Sequence, residues 1–259
     1  MRQYIVDAFT EKIFGGNPAG VCVMEKFPPE ELMLNIAREN NLSETAFAVK
    51  EGAFYRLRWF TPAAEIDFCG HATLATAFVL FNFYEKNSPR IDFETLSGKF
   101  TVERKGNLFE MNFPAYVPKK IPVTDAMEDA IGAKVLEAYL ARDLLMVLES
   151  SEAVENLSPN LDKLQILDGL TQAVTAVDKD FDCASRVFAP KIKVPEDPVT
   201  GSTHCLIAPY WAEKLGKKNL VARQASARGG ILYCEVLDER VKISGSAALF
   251  AVADLNLGG

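Results

Sequence analysis

Two stretches of this chain, far apart, repeat one pattern, and a chain that repeats itself in this way reads as two like halves. Arg58-Trp59-Phe60-Thr61-Pro62 is followed, eight residues after the proline, by Gly70-His71-Ala72-Thr73. Arg186-Val187-Phe188-Ala189-Pro190 is followed, eleven after, by Gly201-Ser202-Thr203-His204. A glutamate stands five residues before each glycine, Glu65 and Glu196, and an apolar run follows each glycine. The only two histidines of the chain, His71 and His204, fall in these two places. The economical reading is a mixed α+β unit duplicated head to tail, with one small ligand gripped between two facing helix starts.

A chain of 259 residues is long for one core and sufficient for two domains of about 100–130 residues each. Pro114 to Pro122, with three prolines in nine residues, is the best linker candidate, which divides the chain into 1–117 and 118–259. The last strand is expected to pack back on the N-terminal half. A content of 49% hydrophobic and 24% charged residues is that of a packed globule, and a net charge of -7 argues against nucleic acid or an anionic membrane as partner. No apolar run approaches the roughly 20 residues that span a bilayer. The N-terminus reads directly as a strand with no signal peptide visible, and five cysteines without a C-x-x-C pair indicate a reduced, cytoplasmic setting. Two histidines and no thiolate cluster disfavour a zinc site. Gly15-Gly16-Asn17-Pro18-Ala19-Gly20 lacks the spacing of a dinucleotide cradle and reads as a shaped turn, so neither metal nor cofactor is expected.

Along the first half, strands are expected at Tyr4–Phe9, Ala19–Met24, Thr45–Val49 and Phe54–Phe60, with an amphipathic helix over Pro29–Asn40. Gly70 to Tyr84 reads as a helix apolar on nearly every face, as a helix wrapped by sheet would be. Strands near 91–95, 98–104 and 108–113 follow. The second half reads as a helix near Asp125–Leu140, a strand near Leu144–Leu148, a helix near Leu161–Leu167, and strands near 171–177 and 183–188. The second apolar helix spans Ser202–Leu215, and the end of the chain reads as strands at Val221–Ala225, Gly230–Val236 and Val241–Ala251.

A helix start offers unpaired backbone N–H groups and about half a positive charge, and a glycine there lets a ligand approach closely. Two such starts would cradle a small carboxylate; alternatively, each glycine only shapes a turn. His71, directly after its glycine, is read as a ligand contact, whereas His204 is read as a core histidine bonded to backbone. Asp197, held between Pro195 and Pro198, is either a carboxylate fixed at the helix mouth or a capping acid. Glu44 follows a helix end and precedes an apolar strand, so its side chain is expected to be partly desolvated, which favours base chemistry near neutral pH. Composition alone gives it no privilege among 35 acidic residues.

Gly16-Asn17-Pro18-Ala19-Gly20, Leu42-Ser43-Glu44-Thr45, Asp67-Phe68-Cys69-Gly70-His71-Ala72-Thr73-Leu74-Ala75 and Asp197-Pro198-Val199-Thr200-Gly201-Ser202-Thr203-His204 together resemble the four landmarks of the PhzF-like phenazine-biosynthesis isomerases. The resemblance covers essentially the whole chain in order. It implies a diaminopimelate epimerase-like fold: two pseudo-symmetric halves, each a curled mixed sheet around a central helix, with the site between them. It further implies a cofactor-independent isomerase moving a proton on a small carboxylate, in a homodimer, as the phenazine enzyme does on trans-2,3-dihydro-3-hydroxyanthranilate. Glu44 would then be the acid/base, aided by Ser43, with His71, Asp197 and Ser202 orienting substrate and Gly70 and Gly201 donating N–H groups. Thr203 stands where that family more often has alanine, a change expected to narrow the pocket. The epimerase places a cysteine before each helix glycine; here Cys69 is matched by Thr200, whose hydroxyl cannot replace a thiol. A two-base racemase using Cys69 and a non-catalytic binder of small acids or a partner are the alternative readings.

Overall fold

Residues i and i+2 of a strand share a face, and this alternation explains the repeated R-x-F. In the computed structural model, which describes residues 1–257, the Arg58 guanidinium lies 5.2 Å from the centre of the Phe60 ring and forks onto Glu65 through two bonds of 2.6 Å. Arg186 repeats this with Phe188, at 5.0 Å, and with Glu196, at 2.8 and 2.9 Å. Each fork ties a strand to a short returning strand just ahead of a helix-opening glycine.

The chain divides into two units, Met1–Asn112 with the segment from Ser244 onward, and Phe113–Ile243. The first begins with β1 (Arg2–Ala8), β2 (Asn17–Met24), α1 (Glu30–Asn40), β3 (Glu44–Glu51), β4 (Phe54–Phe60) and β5 (Glu65–Ile66). It continues with α2 (Gly70–Val79), β6 (Arg90–Thr95) and β7 (Gly98–Lys105), and β8 (Leu108–Pro114) leads out of it. β1 is antiparallel to β2, β2 parallel to β3, and β3 antiparallel to β4. β4 is antiparallel to β5 and parallel to β6, which is antiparallel to β7.

The second unit holds β9 (Lys119–Ile121), α3 (Asp125–Ile131), β10 (Glu137–Leu140), β11 (Leu144–Val147), α4 (Ser151–Glu155), α5 (Leu161–Ile166), β12 (Gln172–Val177) and β13 (Cys183–Ala189). Then come β14 (Val194–Asp197), α6 (Gly201–Leu215), β15 (Asn219–Gln224) and β16 (Gly230–Val236), and β17 (Arg240–Gly245) leads back into the first unit. From β10 to β16 the pairing series is that of β1 to β7: antiparallel, parallel, antiparallel, a short antiparallel return, a parallel step and an antiparallel one. This is one α+β topology used twice. β18 (Ala247–Asp254) belongs to the first unit, where it pairs antiparallel with β1.

The repeated helices are the centre of each unit. Of the ten residues of α2 all but Phe78 are buried, and α6 is similarly covered over its first two turns. Proline within a helix leaves the carbonyl four residues earlier without its usual donor. Pro209 does this to Cys205 in α6, and the Tyr116 N–H supplies the missing bond at 2.9 Å. The proline-rich stretch is thereby pinned to the helix.

Three local outcomes depart from the sequence reading. The helix expected near 125–140 stops at Ile131, because Gly132 takes the left-handed conformation at φ 70° and donates back to Glu128 O at 2.8 Å. Residues 137–140 then pair as a strand. The stretch expected as one strand over 241–251 is two, broken at Ser246, whose carbonyl accepts from Phe9 N at 2.8 Å. The five-residue α4, capped by the Ser150 hydroxyl accepting from Ala153 N, is too short to show a period. No helix among the described residues is long and apolar enough to cross a membrane.

Arg186 also donates to the carbonyls of Val154, Glu155 and Leu157 at the end of α4. Arg186→Met keeps the aliphatic stem but strands these carbonyls and Glu196. It is expected to lower the unfolding free energy in urea by about 2–3 kcal/mol; a loss under about 0.5 kcal/mol would mean that the fork does not hold the strand return.

Candidate functional site

Parallel pairing sets the first residues of β2 and β3 side by side, with Ala19 opposite Glu44. The turn into β2 needs glycine: Gly16 sits at φ 60°, where a Cβ would overlap the Ala8 carbonyl. α1 ends on Asn41 in the left-handed conformation, its N–H bonded to Ala37 O at 3.1 Å, which turns the chain into β3. α2 starts at Gly70 with Cys69 as its extended cap residue, and no side chain caps its first N–H groups. Asn17, Glu44 and His71 therefore meet where two strands and a helix all begin.

Glu44 Oε2 lies 3.1 Å from His71 Nε2, with side chains 14% and 6% exposed. The two atoms are at ion-pair distance but off the hydrogen-bond axis, and neither has a hydrogen-bond partner among the described residues. On the other ring nitrogen, Nδ1, His71 meets the Asn17 amide nitrogen at 3.1 Å and the Cys69 sulfur at 3.6 Å. Burial alone would lower the His71 pKa; the Cys69 sulfur, through its contact with Nδ1, and the Glu44 carboxylate, through its charge, outweigh it and raise the value well above the ordinary one. Burial, reinforced by Glu44, pushes the Cys69 thiol up to about 11, so near neutral pH the sulfur keeps its proton. Glu44, Cys69 and His71 bring an oxygen, a sulfur and a nitrogen within 4.8 Å of one another. A cation at that spacing would first have to displace the thiol proton.

The second unit builds a like helix start. Thr200 is the extended cap residue of α6, again without a side-chain cap on the helix, and Gly201 opens the first turn. The Thr200 hydroxyl donates instead to Asp197 Oδ2 at 2.6 Å. Gln224, fully buried, holds the loop from behind: its amide donates to Asp197 O at 2.6 Å and its carbonyl accepts from Thr200 N at 2.8 Å. Ser43 in the first unit and Ser202 in the second are half-buried, and neither hydroxyl has a hydrogen-bond partner among the described residues.

Of the residues singled out in the sequence, Ser43, Glu44, Gly70 and His71 lie in the first unit, and Asp197, Gly201 and Ser202 in the second. His204 is a core histidine: it is fully buried, Nδ1 donates to Thr200 O at 2.8 Å, and burial lowers its pKa to about 4. Thr203 does not narrow a pocket as expected. It is fully buried and donates to Asp143 Oδ2 at 3.0 Å, with Thr171 Oγ1 3.2 Å away, so its extra atoms serve a core network. Asn17 and Gln224 were missed. Asn17 stands in a recognised turn motif, whereas Gln224 has no local signal, since its partners lie 24 and 27 residues away.

Mixed sheets around central helices that open on an uncapped glycine, twice in one chain, define the diaminopimelate epimerase-like class of α+β fold. The family model for phenazine biosynthesis-like protein (PhzC-PhzF) matches residues 6–253. An uncharacterized isomerase of Pseudomonas aeruginosa is 46% identical over 252 residues, covering 97% of both chains. The crystal structure of a PhzF-family phenazine biosynthesis protein from Enterococcus faecalis superposes with a TM-score of 0.97 at 50% identity, covering 99% of each chain. A PhzC/PhzF protein from Clostridium difficile gives a TM-score of 0.95 at 52% identity, covering 99% of this chain and 100% of the other. The chain belongs to the phenazine biosynthesis-like (PhzC/PhzF) family.

Because the folded-state pKa of His71 lies above its unfolded value near 6.5, its contribution to stability is complete below that value and fades as pH rises through the folded pKa. In urea unfolding at a series of pH values, the stability gap between wild type and His71→Gln is expected to be largest at or below pH ~6.5 and to shrink at higher pH. A gap that widens with rising pH would reverse the assignment.

Proposed function

We propose that this protein is a cofactor-independent isomerase that moves a proton between carbons of a small carboxylate substrate, with Glu44 taking and returning that proton. The observation that carries the reading is Glu44, mostly buried at the start of β3, with His71 Nε2 3.1 Å from its carboxylate oxygen. The neighbouring His71 ring, its pKa raised well above the ordinary value, gives the carboxylate a positive partner. As the substrate C–H bond breaks, an O–H bond forms on Glu44 and the electron pair passes into the substrate's conjugated system. His71, still positive, stabilises the negative charge that develops. Glu44 then returns the proton to a different carbon, so the reaction needs no oxidant or reductant.

The remaining roles follow from helix-start chemistry. The N–H groups at Gly70 and Gly201 suit a substrate carboxylate, and Ser43 and Ser202 carry hydroxyls with capacity for a ligand. Asp197, fixed by Thr200 and Gln224, orients the substrate. A second base at Cys69 is disfavoured because its thiol is pushed up to about 11, and Thr200 offers no thiol in the corresponding position. The "isomerase" in the name of the Pseudomonas relative supports the same reaction class.

A thermal-shift screen of small unsaturated carboxylates supplies the substrate for the test. Glu44→Gln is expected to bind that compound while turnover falls by about 10⁴ or more, the upper end for a general acid/base. Asp197→Asn should be milder, and wild type in heavy water should place deuterium at the reprotonated carbon. Near wild-type turnover by Glu44→Gln would end the assignment. Cys69→Ala is expected to keep at least about a tenth of the activity; loss of a thousandfold, about 4 kcal/mol of barrier, in a folded variant would favour the two-base racemase instead.

A further inference from the structure

The central helix of the first unit has a second polar environment at its far end. Gly70 opens α2 beside Glu44 and His71, and Phe78 lies eight residues on, about 12 Å along the axis. There the helix widens into one π turn over Leu80–Tyr84, closed by Glu85 N donating to Leu80 O at 2.6 Å. Such turns recur at functional sites. The widening is stabilised by Asn82, whose amide nitrogen donates to Phe78 O at 2.7 Å.

A cavity of about 340 Å³ opens beside this turn, within the range of small-molecule sites. Its apolar floor is aromatic: Phe78 meets Phe109 edge-on at 5.8 Å, and Phe109 stacks on Phe81 at 5.7 Å. Arg104 lines the same cavity, its guanidinium 5.7 Å from the Phe81 ring centre and bonded to Asn82 Oδ1 at 3.3 Å. Arg104 makes no ion pair among the described residues. Ser246, nearly buried at the break between β17 and β18, also lines the cavity, and its hydroxyl has no hydrogen-bond partner among the described residues.

We propose that this cavity is a second binding site, which takes a small monocarboxylic acid with an apolar or aromatic body. The carboxylate pairs with Arg104, already oriented by Asn82 and Phe81, and accepts from the Ser246 hydroxyl. The body lies on the Phe78–Phe109 floor. Exposed Glu11, also lining the cavity, repels multiply charged anions such as phosphate, so a single carboxylate is favoured. A ligand here touches the same helix whose opposite end carries His71, so occupancy would act on the proposed reaction through α2.

Amide NMR of the full chain titrated with benzoate tests this. Shifts are expected at residues 78–82, 104–109 and 246–247, with an affinity for these signals at least about tenfold weaker in Arg104→Met, as loss of one charge-assisted contact implies. Benzyl alcohol, the neutral analogue, should be weakened on wild type by a similar factor, a comparison that stands even if the variant does not fold. Signals around Glu44 and His71 report separately, so binding at the proposed reaction site is distinguished from binding here. No shifts at these amides at about 20 mM benzoate, unchanged affinity in a folded Arg104→Met, equal binding of benzyl alcohol, or displacement by inorganic phosphate would each overturn the proposal.

Discussion

The arginine–glutamate fork is the interaction on which each half of this protein depends. Arg58 with Glu65, and Arg186 with Glu196, both form two-bond pairs with guanidinium side chains no more than 22% exposed. An exposed ion pair is worth little, because water screens it and both side chains lose freedom. A fork that is mostly out of water and set on an aromatic face is different, since its planar geometry leaves few donors unpaired. Placed on the strand before each central helix, it fixes where the chain turns back and so where the helix begins.

The start of a buried helix is also where chemistry becomes available. Its first N–H groups have no partner within the helix, and here no side chain caps them in either unit. In most helices a serine or aspartate would satisfy those donors. Cys69 and Thr200 stand in the cap positions instead, and the Thr200 hydroxyl is turned away to Asp197. The capacity retained there, together with a buried carboxylate beside a buried imidazole, is the kind of unsatisfied arrangement that a stable core avoids and a binding site keeps.

Duplication did not make the two starts equivalent. His71 is held between Asn17 and Glu44 and has its pKa raised, whereas His204 donates to a backbone carbonyl and is lowered to about 4. The difference lies in neighbours rather than in burial, since both rings are nearly or fully out of water. A carboxylate adjacent to one ring and a neutral carbonyl adjacent to the other are enough to separate their charge states. One topology thus carries an ionic helix start in the first unit and a neutral, hydrogen-bonded loop in the second.

Much of the architecture was legible in the chain itself. The R-x-F-x-P echo, the glutamates five residues before Gly70 and Gly201, and the apolar helices after them imply two like α+β halves, since period-two and helical patterns are local properties of the sequence. Motif resemblance singled out Glu44 and His71 by position. What local pattern cannot carry is contact between distant residues. Only the tertiary structure decided that Thr203 feeds a core network with Asp143, that Gln224 braces the loop at Asp197, and that Gly132 cuts a helix short so that 137–140 can pair as a strand. Pairing Glu44 with His71 needed it too: 27 residues separate them in sequence, and 3.1 Å in the fold, because a parallel strand pair and a helix start share one end of a sheet.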